Sequence, residues 1–415
     1  MNHDLPDLGP AILSMADALA RHSDQPDALT VAYGTPAHRA VQTQLAQWMR
    51  EAGMAVEIDA VGNVVGRYAA ADPQAPALMT GSHFDTVRDG GRYDGRLGIL
   101  LPIAVVAALH ARGERLPCTL EVVGFAEEEG LRFRSSFLAS SALVGQFDFA
   151  LLDKPDADGC TLRQAMVEAG LPGTVPSIAA LKRDPARLAG FIEVHIEQGP
   201  VLLERGLPLG VVTSIAGSVR MAGSVTGVAS HAGTTPMSMR KDAAAAVAEM
   251  LLAVERRCAR APTLVGTVGQ LHVPNGAVNV VPGRCDFSLD IRAGDDATRD
   301  AAVADVLAAC ESIATRRGVQ LTLTRTMQVP CAPCAPALME RLAGCVADAG
   351  VSPFRLPSGA GHDAMMIARL TPVCMLFVRC GNGGISHNPR ETMSAEDATL
   401  AARVFAEFAR RTPAG

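Results

Sequence analysis

The stretch ALMTGSHFDTVRDGGRYDGRLGILLPIAVVAALHARGERLPCTLEVVGFAEEEG, residues 77–130, decides the fold. It reads as a short apolar strand at 77–80, a glycine-rich loop, an apolar helix at 98–112 and a second strand at 119–125. That order implies a parallel or mixed sheet with helices on both faces, an α/β architecture. Functional side chains in such sheets gather at the carboxyl ends of the strands. Here the first strand runs into His83, Asp85 and then Asp94, and the second into Glu127, Glu128 and Glu129.

Upstream, a helix is expected over 36–51, with Thr35 as its N-cap, Pro36 at its first position and Gly53 as its stop. Val41, Leu45, Trp48 and Met49 recur at three- and four-residue spacing and mark its core face, so the lone Trp48 reads as packing. Strands are expected at 55–58 and 61–67. Downstream, residues 219–326 give strand 219–227, helix 240–257, strands 263–272 and 277–292, helix 297–317 and strand 319–326. This β-α-β-β-α-β order is the ferredoxin-like unit, which can close a small core by itself. The first pattern then resumes with helix 336–349, strand 373–378 and helix 395–410. The expected organisation is an α/β domain, 1–214 and 328–415, interrupted by an α+β domain at 215–327, with hinges near 213–217 and 327–330.

The chain has 415 residues, enough for more than one core. Hydrophobic residues make up 48% and charged residues 19%, which excludes disorder over most of the length. A net charge of -6 argues against nucleic acid or an anionic membrane as partner and favours a small molecule. The longest apolar stretch, 97–111, is broken by Pro102 and is too short to span a bilayer. The amino-terminal run MNHDLPDLGP lacks the pattern of a secretory signal, so a cytoplasmic protein with reduced cysteines is expected. Cys331 and Cys334 form a CxxC, but a proline-rich stretch follows instead of a helix. They read as surface or hinge cysteines.

Four clusters carry chemistry. In GSHFDTVRDGGRYDG, an imidazole is a common metal ligand, and a carboxylate two residues on can accept its second ring N–H. In FAEEEG, three like charges ending a buried strand repel one another unless a cation or a shared proton compensates. Using both Glu128 and Glu129 at one site requires a bend, which Gly130 permits. His195 lies in the apolar strand of FIEVHIEQGP, where a histidine is ordinarily a satisfied core residue. His387 lies in CGNGGISHNPRE, a glycine-rich loop after a buried strand. Imidazoles and carboxylates at the strand ends of one sheet match the ligand set of a divalent metal.

With these motifs the chain resembles the M20 metallopeptidase superfamily, and within it the hydantoinase/carbamoylase amidases, which include N-carbamoyl-L-amino acid hydrolases and allantoate amidohydrolases. GSHFDTV, GGRYDG, EEEG, HIEQGP, SHAGTTPM, NVVPG, LDIR, GAGHDAM and SHNPRE carry the likeness over nearly the whole chain. The resemblance implies a mixed-sheet α/β/α di-metal catalytic domain with an inserted ferredoxin-like lid and dimerisation domain. It implies two divalent ions per chain, zinc first, with manganese, cobalt or nickel as alternatives. Asp94 would bridge them, with His83 and His195 completing one site and Glu129 and His387 the other. Asp85 would orient His83, and Glu128 would be the general base.

The resemblance further makes His231 the group that hydrogen-bonds the carbonyl oxygen under attack, and Gln198, Asn279, Arg292 and Gly361 substrate contacts. The role of His362 is left open. The implied reaction is hydrolysis of the carbamoyl C–N bond of a ureido acid, N-carbamoyl-L-amino acids first and allantoate as the alternative. The chain would work as a homodimer built through the inserted domain. A peptidase or N-acyl hydrolase fits less well, since His195 and the SHAGTTPM set favour ureido substrates in that family, and a non-catalytic metal-holding ligand module fits less well, since every expected ligand and Glu128 are present.

Overall fold

The computed structural model describes residues 5–414; Met1–Asp4, part of the run in which no secretory signal was read, and Gly415 lie outside the described residues. The chain divides into two compact units. One takes the described residues up to Thr213, Cys334–Leu356 and those from Gly361 onward; the other takes Ser214–Pro333 with Pro357–Ala360. Among the described residues no helix is long and apolar enough to cross a membrane.

The strands are β1 (Ala55–Ile58), β2 (Val64–Tyr68), β3 (Ala77–His83), β4 (Thr119–Phe125), β5 (Leu188–Ile196), β6 (Leu209–Ile215), β7 (Gly217–Thr226), β8 (Ser230–His231), β9 (Leu264–Thr267), β10 (Leu271–His272), β11 (Val280–Val281), β12 (Arg284–Ala293), β13 (Gln320–Val329), β14 (Ala332–Pro333), β15 (Arg355–Ser358) and β16 (Val373–Val378). In the first unit the sheet runs β1-β2-β4-β3-β5-β16-β6, with β15 also on β6. Its four central strands, β4, β3, β5 and β16, are parallel, and the β1-β2, β2-β4 and β16-β6 pairings are antiparallel. It is the mixed α/β sheet expected from the sequence.

Register is what assembles the site. His83 pairs with Phe125, so β3 and β4 end level and their loops leave the sheet side by side. Thr80 pairs with Ile192, and three residues further along both parallel strands stand His83 and His195. His195 pairs in turn with Phe377 of β16, which leads into the loop carrying His387. The helix Leu97–Ala111 is buried along most of its length, as a helix covering such a sheet must be. The helix Pro36–Glu51 has the expected bounds, and Thr35 Oγ1 accepts the backbone N–H of His38 as its cap. Val41, Leu45 and Met49 are buried, and Trp48 is half-buried.

The second unit has the β-α-β-β-α-β order. Its sheet runs β10-β12-β7-β13 with β9 also on β12, antiparallel throughout. Helices Ala243–Cys258 and Asp296–Arg317 share its core, where Val219, Val225, Val247, Met250, Ile291 and Val306 are buried. Two expected strands are broken. Residues 263–272 form β9 and β10 around Gly269, and 277–292 form β11 and β12 around Pro282 and Gly283. The short β11 pairs instead with β8, the segment of His231.

The ten cysteines are all unpaired among the described residues. Of the two cysteines read as surface or hinge residues, Cys334 is buried at the boundary of the two units in the chain, and burial pushes its thiol up to about 12. A thiol so held is protonated and is a poor nucleophile.

Candidate metal centre

Asp94 is at the middle of the site, and its two oxygens face different partners. Oδ1 lies 3.7 Å from Nε2 of His83 and 3.4 Å from Nε2 of His195. Oδ2 lies 3.1 Å from Nε2 of His387, which is itself 3.4 Å from Oε1 of Glu129. Two ligand groups therefore share Asp94, namely His83/Asp94/His195 and Asp94/Glu129/His387, and within each the ligand atoms all lie within 4.8 Å of one another.

The tautomers follow from the carbonyl contacts. Nδ1 of His83 lies 3.1 Å from the backbone oxygen of Asp85, and Nδ1 of His195 lies 2.8 Å from that of Ile196. A carbonyl only accepts, so each Nδ1 carries a proton, which leaves Nε2 of the neutral ring as the atom able to bind a metal beside Asp94. The donor set is imidazole nitrogen and carboxylate oxygen, suited to a divalent ion.

The loop is shaped to allow this. Gly95 has φ +66°, and a Cβ there would stand 2.5 Å from the His83 ring. Its N–H points at Nε2 of His195, 3.1 Å away. Gly130, at φ +71°, ends the bend that carries the acid run away from β4. Asp85 organises that bend, its Oδ1 accepting the N–H of Glu128 at 3.1 Å and its Oδ2 that of Glu129 at 3.0 Å. The sequence reading gave the Asp85 carboxylate to His83. It lies 3.5 Å from Nδ1, and the Asp85 carbonyl is nearer.

Burial dominates the electrostatics. It pushes Glu128 well above the usual carboxylate range, with Glu129 and Asp363 adding repulsion and His83 opposing. Burial likewise raises Glu129 to about 7. It lowers His195 to about 4 and His362 well below the usual imidazole value. Burial opposes ionisation of Asp94 as well, but a hydrogen bond from His387 and the charges of His83, His195 and His387 hold its carboxyl low. His83 is raised against its burial by the Asp85 hydrogen bond and the charges of Asp85, Glu128 and Asp94. Such crowding of carboxylates and imidazoles is a mark of functional sites.

Around this group, Gln198 has φ +57° and its Nε2 donates to Asp94 Oδ1 at 2.9 Å. It faces the ligand set before any substrate. A Cβ on Gly361 would meet Phe137 at 2.9 Å and Glu128 Oε1 at 3.8 Å, so that backbone passes close to Glu128. His362 is buried, packing edge-on against His195 with ring centroids 4.5 Å apart. It fills the space behind a candidate ligand.

Sequence reasoning missed Glu193. It lies two residues before His195 on β5, hence on the same face, and accepts from Ser82 Oγ at 2.6 Å and Ala364 N–H at 3.1 Å. The period-2 spacing with His195 was the available signal. Arg96 and Glu391 were also missed. Both are buried; Glu391 closes the SHNPRE motif, which was the available signal.

The remaining expected residues lie in the second unit. His231 lies on β8 and Asn279 immediately before its partner β11; His231 is exposed, with Nδ1 accepting the N–H of Gly233 at 3.0 Å. The Asn279 carbonyl accepts the N–H of Ala232 at 2.9 Å. Arg292 is not a free cation. Its Nε and Nη2 grip the two oxygens of Asp290 at 3.1 and 2.9 Å, and its Nη1 donates to the carbonyl of Gly359. Arg220 also donates to Asp290, at 3.0 Å, and these three line an open groove of about 680 Å³.

The chain is similar to known proteins over nearly its whole length. The profile of peptidase family M20/M25/M40 matches residues 79–411. An N-carbamoyl-L-amino acid amidohydrolase of Geobacillus stearothermophilus is 40% identical over 372 residues, covering 89% of this chain and 90% of that protein. Allantoate deiminase 1 of Glycine max is 37% identical over 419 residues, covering 94% and 86%. Among solved structures, a hydantoinase/carbamoylase family amidase from Burkholderia ambifaria superposes with a TM-score of 0.89 at 35% identity, covering 98% of this chain and 97% of that one.

Proposed function

The chain belongs to peptidase family M20/M25/M40, and from that premise we propose that it hydrolyses the carbamoyl C–N bond of N-carbamoyl-L-amino acids or similar ureido acids. It is a hydrolase of linear amides, and its relatives named for such substrates match nearly end to end. The observation that carries the reading is Asp94, whose two oxygens face two separate ligand pairs beside Glu128.

His83, Asp94 and His195 would hold one divalent ion, and Asp94, Glu129 and His387 a second, with zinc the first choice and manganese, cobalt or nickel also suited to the ligands. When bound, such a pair supplies Lewis-acid polarisation of the ureido carbonyl and a lowered pKa for water. Glu128 takes a proton from the attacking water and returns it to the departing amine nitrogen. Burial suits it to the second task, because raising its pKa favours uptake of the proton that it later returns. The amine leaves, and the carbamate decays to ammonia and carbon dioxide. Asp85 holds the bend that presents Glu128 and Glu129.

The same reading assigns His231 to the carbonyl oxygen under attack, Arg292 to the substrate carboxylate, and Asn279, Gln198 and Gly361 to further substrate contacts. The inserted unit would act as lid and as dimer interface. Allantoate is the second reading, favoured by relatives named allantoate deiminase that cover 94% of this chain. Elemental analysis of purified protein, with ammonia release measured from allantoate and from a panel of N-carbamoyl-L-amino acids, tests both. Turnover of neither class after metal reconstitution sinks the proposal.

A further inference from the structure

We propose that Glu391 is a positioning residue that ties the loop carrying Asp94 to the loop carrying His387. Its Oε1 accepts the backbone N–H of Tyr93 at 2.8 Å and that of Asp94 at 3.2 Å. Its Oε2 accepts the hydroxyl of Ser386 at 2.7 Å. One carboxylate thus holds the backbone of the shared ligand and the side chain immediately before His387.

The two ends of the site need different support. His83 and His195 sit on strands and are buried. His387 lies outside any helix or strand, has φ +52°, and leaves half of its side chain exposed. Packing does not fix such a residue, so its ordering rests on specific bonds. The bond from Ser386 to Glu391 is one, and the Gln198 amide, which reaches both Asp94 Oδ1 at 2.9 Å and Ser386 Oγ at 3.4 Å, is another.

The surroundings are built for a carboxylate at this point. A Cβ on Gly91 would overlap the Glu391 carboxyl, so the glycine is what admits it. The wholly buried Arg96 interacts with the charges of Asp85, Glu391 and Asp94 and offsets their mutual repulsion. Partners that orient metal ligands from behind typically alter metal affinity about 10–100-fold when removed.

The inference rests on the two-ion reading above, and the experiment separates them. In the metal-free full-length chain, amide hydrogen exchange is followed over residues 90–96 and 384–390 in wild type, Glu391→Ala, Glu391→Gln and Ser386→Ala. Glu391→Ala is expected to speed exchange in both segments and Ser386→Ala only in 384–390. Glu391→Gln should stay near wild type, since its Oε1 can accept both amides and its Nε2 can donate to Ser386. Metal content at limiting zinc should then fall from two ions toward one in Glu391→Ala and recover in Glu391→Gln. Unchanged exchange in Glu391→Ala, or two ions held as tightly as in wild type, overturns the proposal. A wild-type chain that takes up only one ion overturns the two-ion reading, and the exchange arm still decides the tether.

Discussion

Asp85 Oδ1 accepts the backbone N–H of Glu128 at 3.1 Å, and the other oxygen of the same carboxylate holds Glu129 at 3.0 Å. The proposed base and a proposed ligand are therefore set by one side chain that reaches neither carboxylate. Asp85→Asn keeps the shape but turns an NH2 group toward one of the two N–H donors. A buried donor left without an acceptor costs about 1–3 kcal/mol. The expected result is a loss of that order in the urea unfolding free energy of the metal-free protein, with kcat lowered more than KM. A variant matching wild type in both would show that the bend is held by other contacts.

Glu128 should be separable from metal binding. It stands with His83 and Glu129 in a third ligand group but is not a member of the two groups that share Asp94, and the charges of His83, Glu129 and Asp363 act on it. Glu128→Gln is expected to retain wild-type metal content and to lower kcat by about 10²–10⁴-fold, the usual range for removing a positioned general base. Elemental analysis beside steady-state ammonia release checks this. Full turnover in the variant would require another base.

The two ion positions should differ in lability. The His387 side chain is 50% exposed, against 4% for His83 and 1% for His195. Graded chelation should release the ion held with Glu129 and His387 first, and His387→Ala should reproduce that one-ion state. His195→Ala should instead disturb the buried position. Cobalt substitution followed by visible spectroscopy during chelator titration distinguishes the steps. Simultaneous loss of both bands would mean that the two positions empty as one unit.

How much of this could be read beforehand depended on range. The parallel core and the ends of β3 and β4 were legible because strand, glycine loop and helix are adjacent in sequence. The same adjacency put His83, Asp94, Glu128 and Glu129 on view as strand-end chemistry, whereas His195 by itself reads as a core residue and its ligand role follows only from the family resemblance. Strand breaks were harder, because strand-forming residues flank them on both sides. Pro282 and Gly283 separate β11 from β12, and at the start of β2 the Asp59 carboxylate accepts the N–H groups of Val61 and Asn63 and holds a turn where a strand was expected. Least legible was which atom does the work. The orienting carbonyl of Asp85, the Gln198 amide on Asp94 and the Glu391 tether are contacts made only after register brings distant loops together.

A last prediction concerns stability and pH, through His38 at the back of the same loop. Its ring is buried against Tyr33 and Phe84, and its Nε2–H donates to the Ala126 carbonyl at 2.8 Å, just before the acid run. Burial lowers it from 6.5 to about 4, against the raising effects of that hydrogen bond and of Asp85 and Asp24. The folded-state value lies below the unfolded one, so the folded chain favours the neutral ring. The resulting stability is fully present above pH 6.5 and is lost as pH falls toward 4. At 1.36 kcal/mol per unit the loss amounts to about 3 kcal/mol. Buried carboxylates such as Glu193, raised to about 7, act in the opposite sense, since their contribution is lost as pH rises. The informative quantity is therefore the difference between wild type and His38→Gln, which can still donate to Ala126. Urea unfolding of the two metal-free proteins should show a gap that shifts by about 3 kcal/mol against wild type between pH 7 and pH 4. Parallel curves across that window would mean that His38 titrates alike in the folded and unfolded chain.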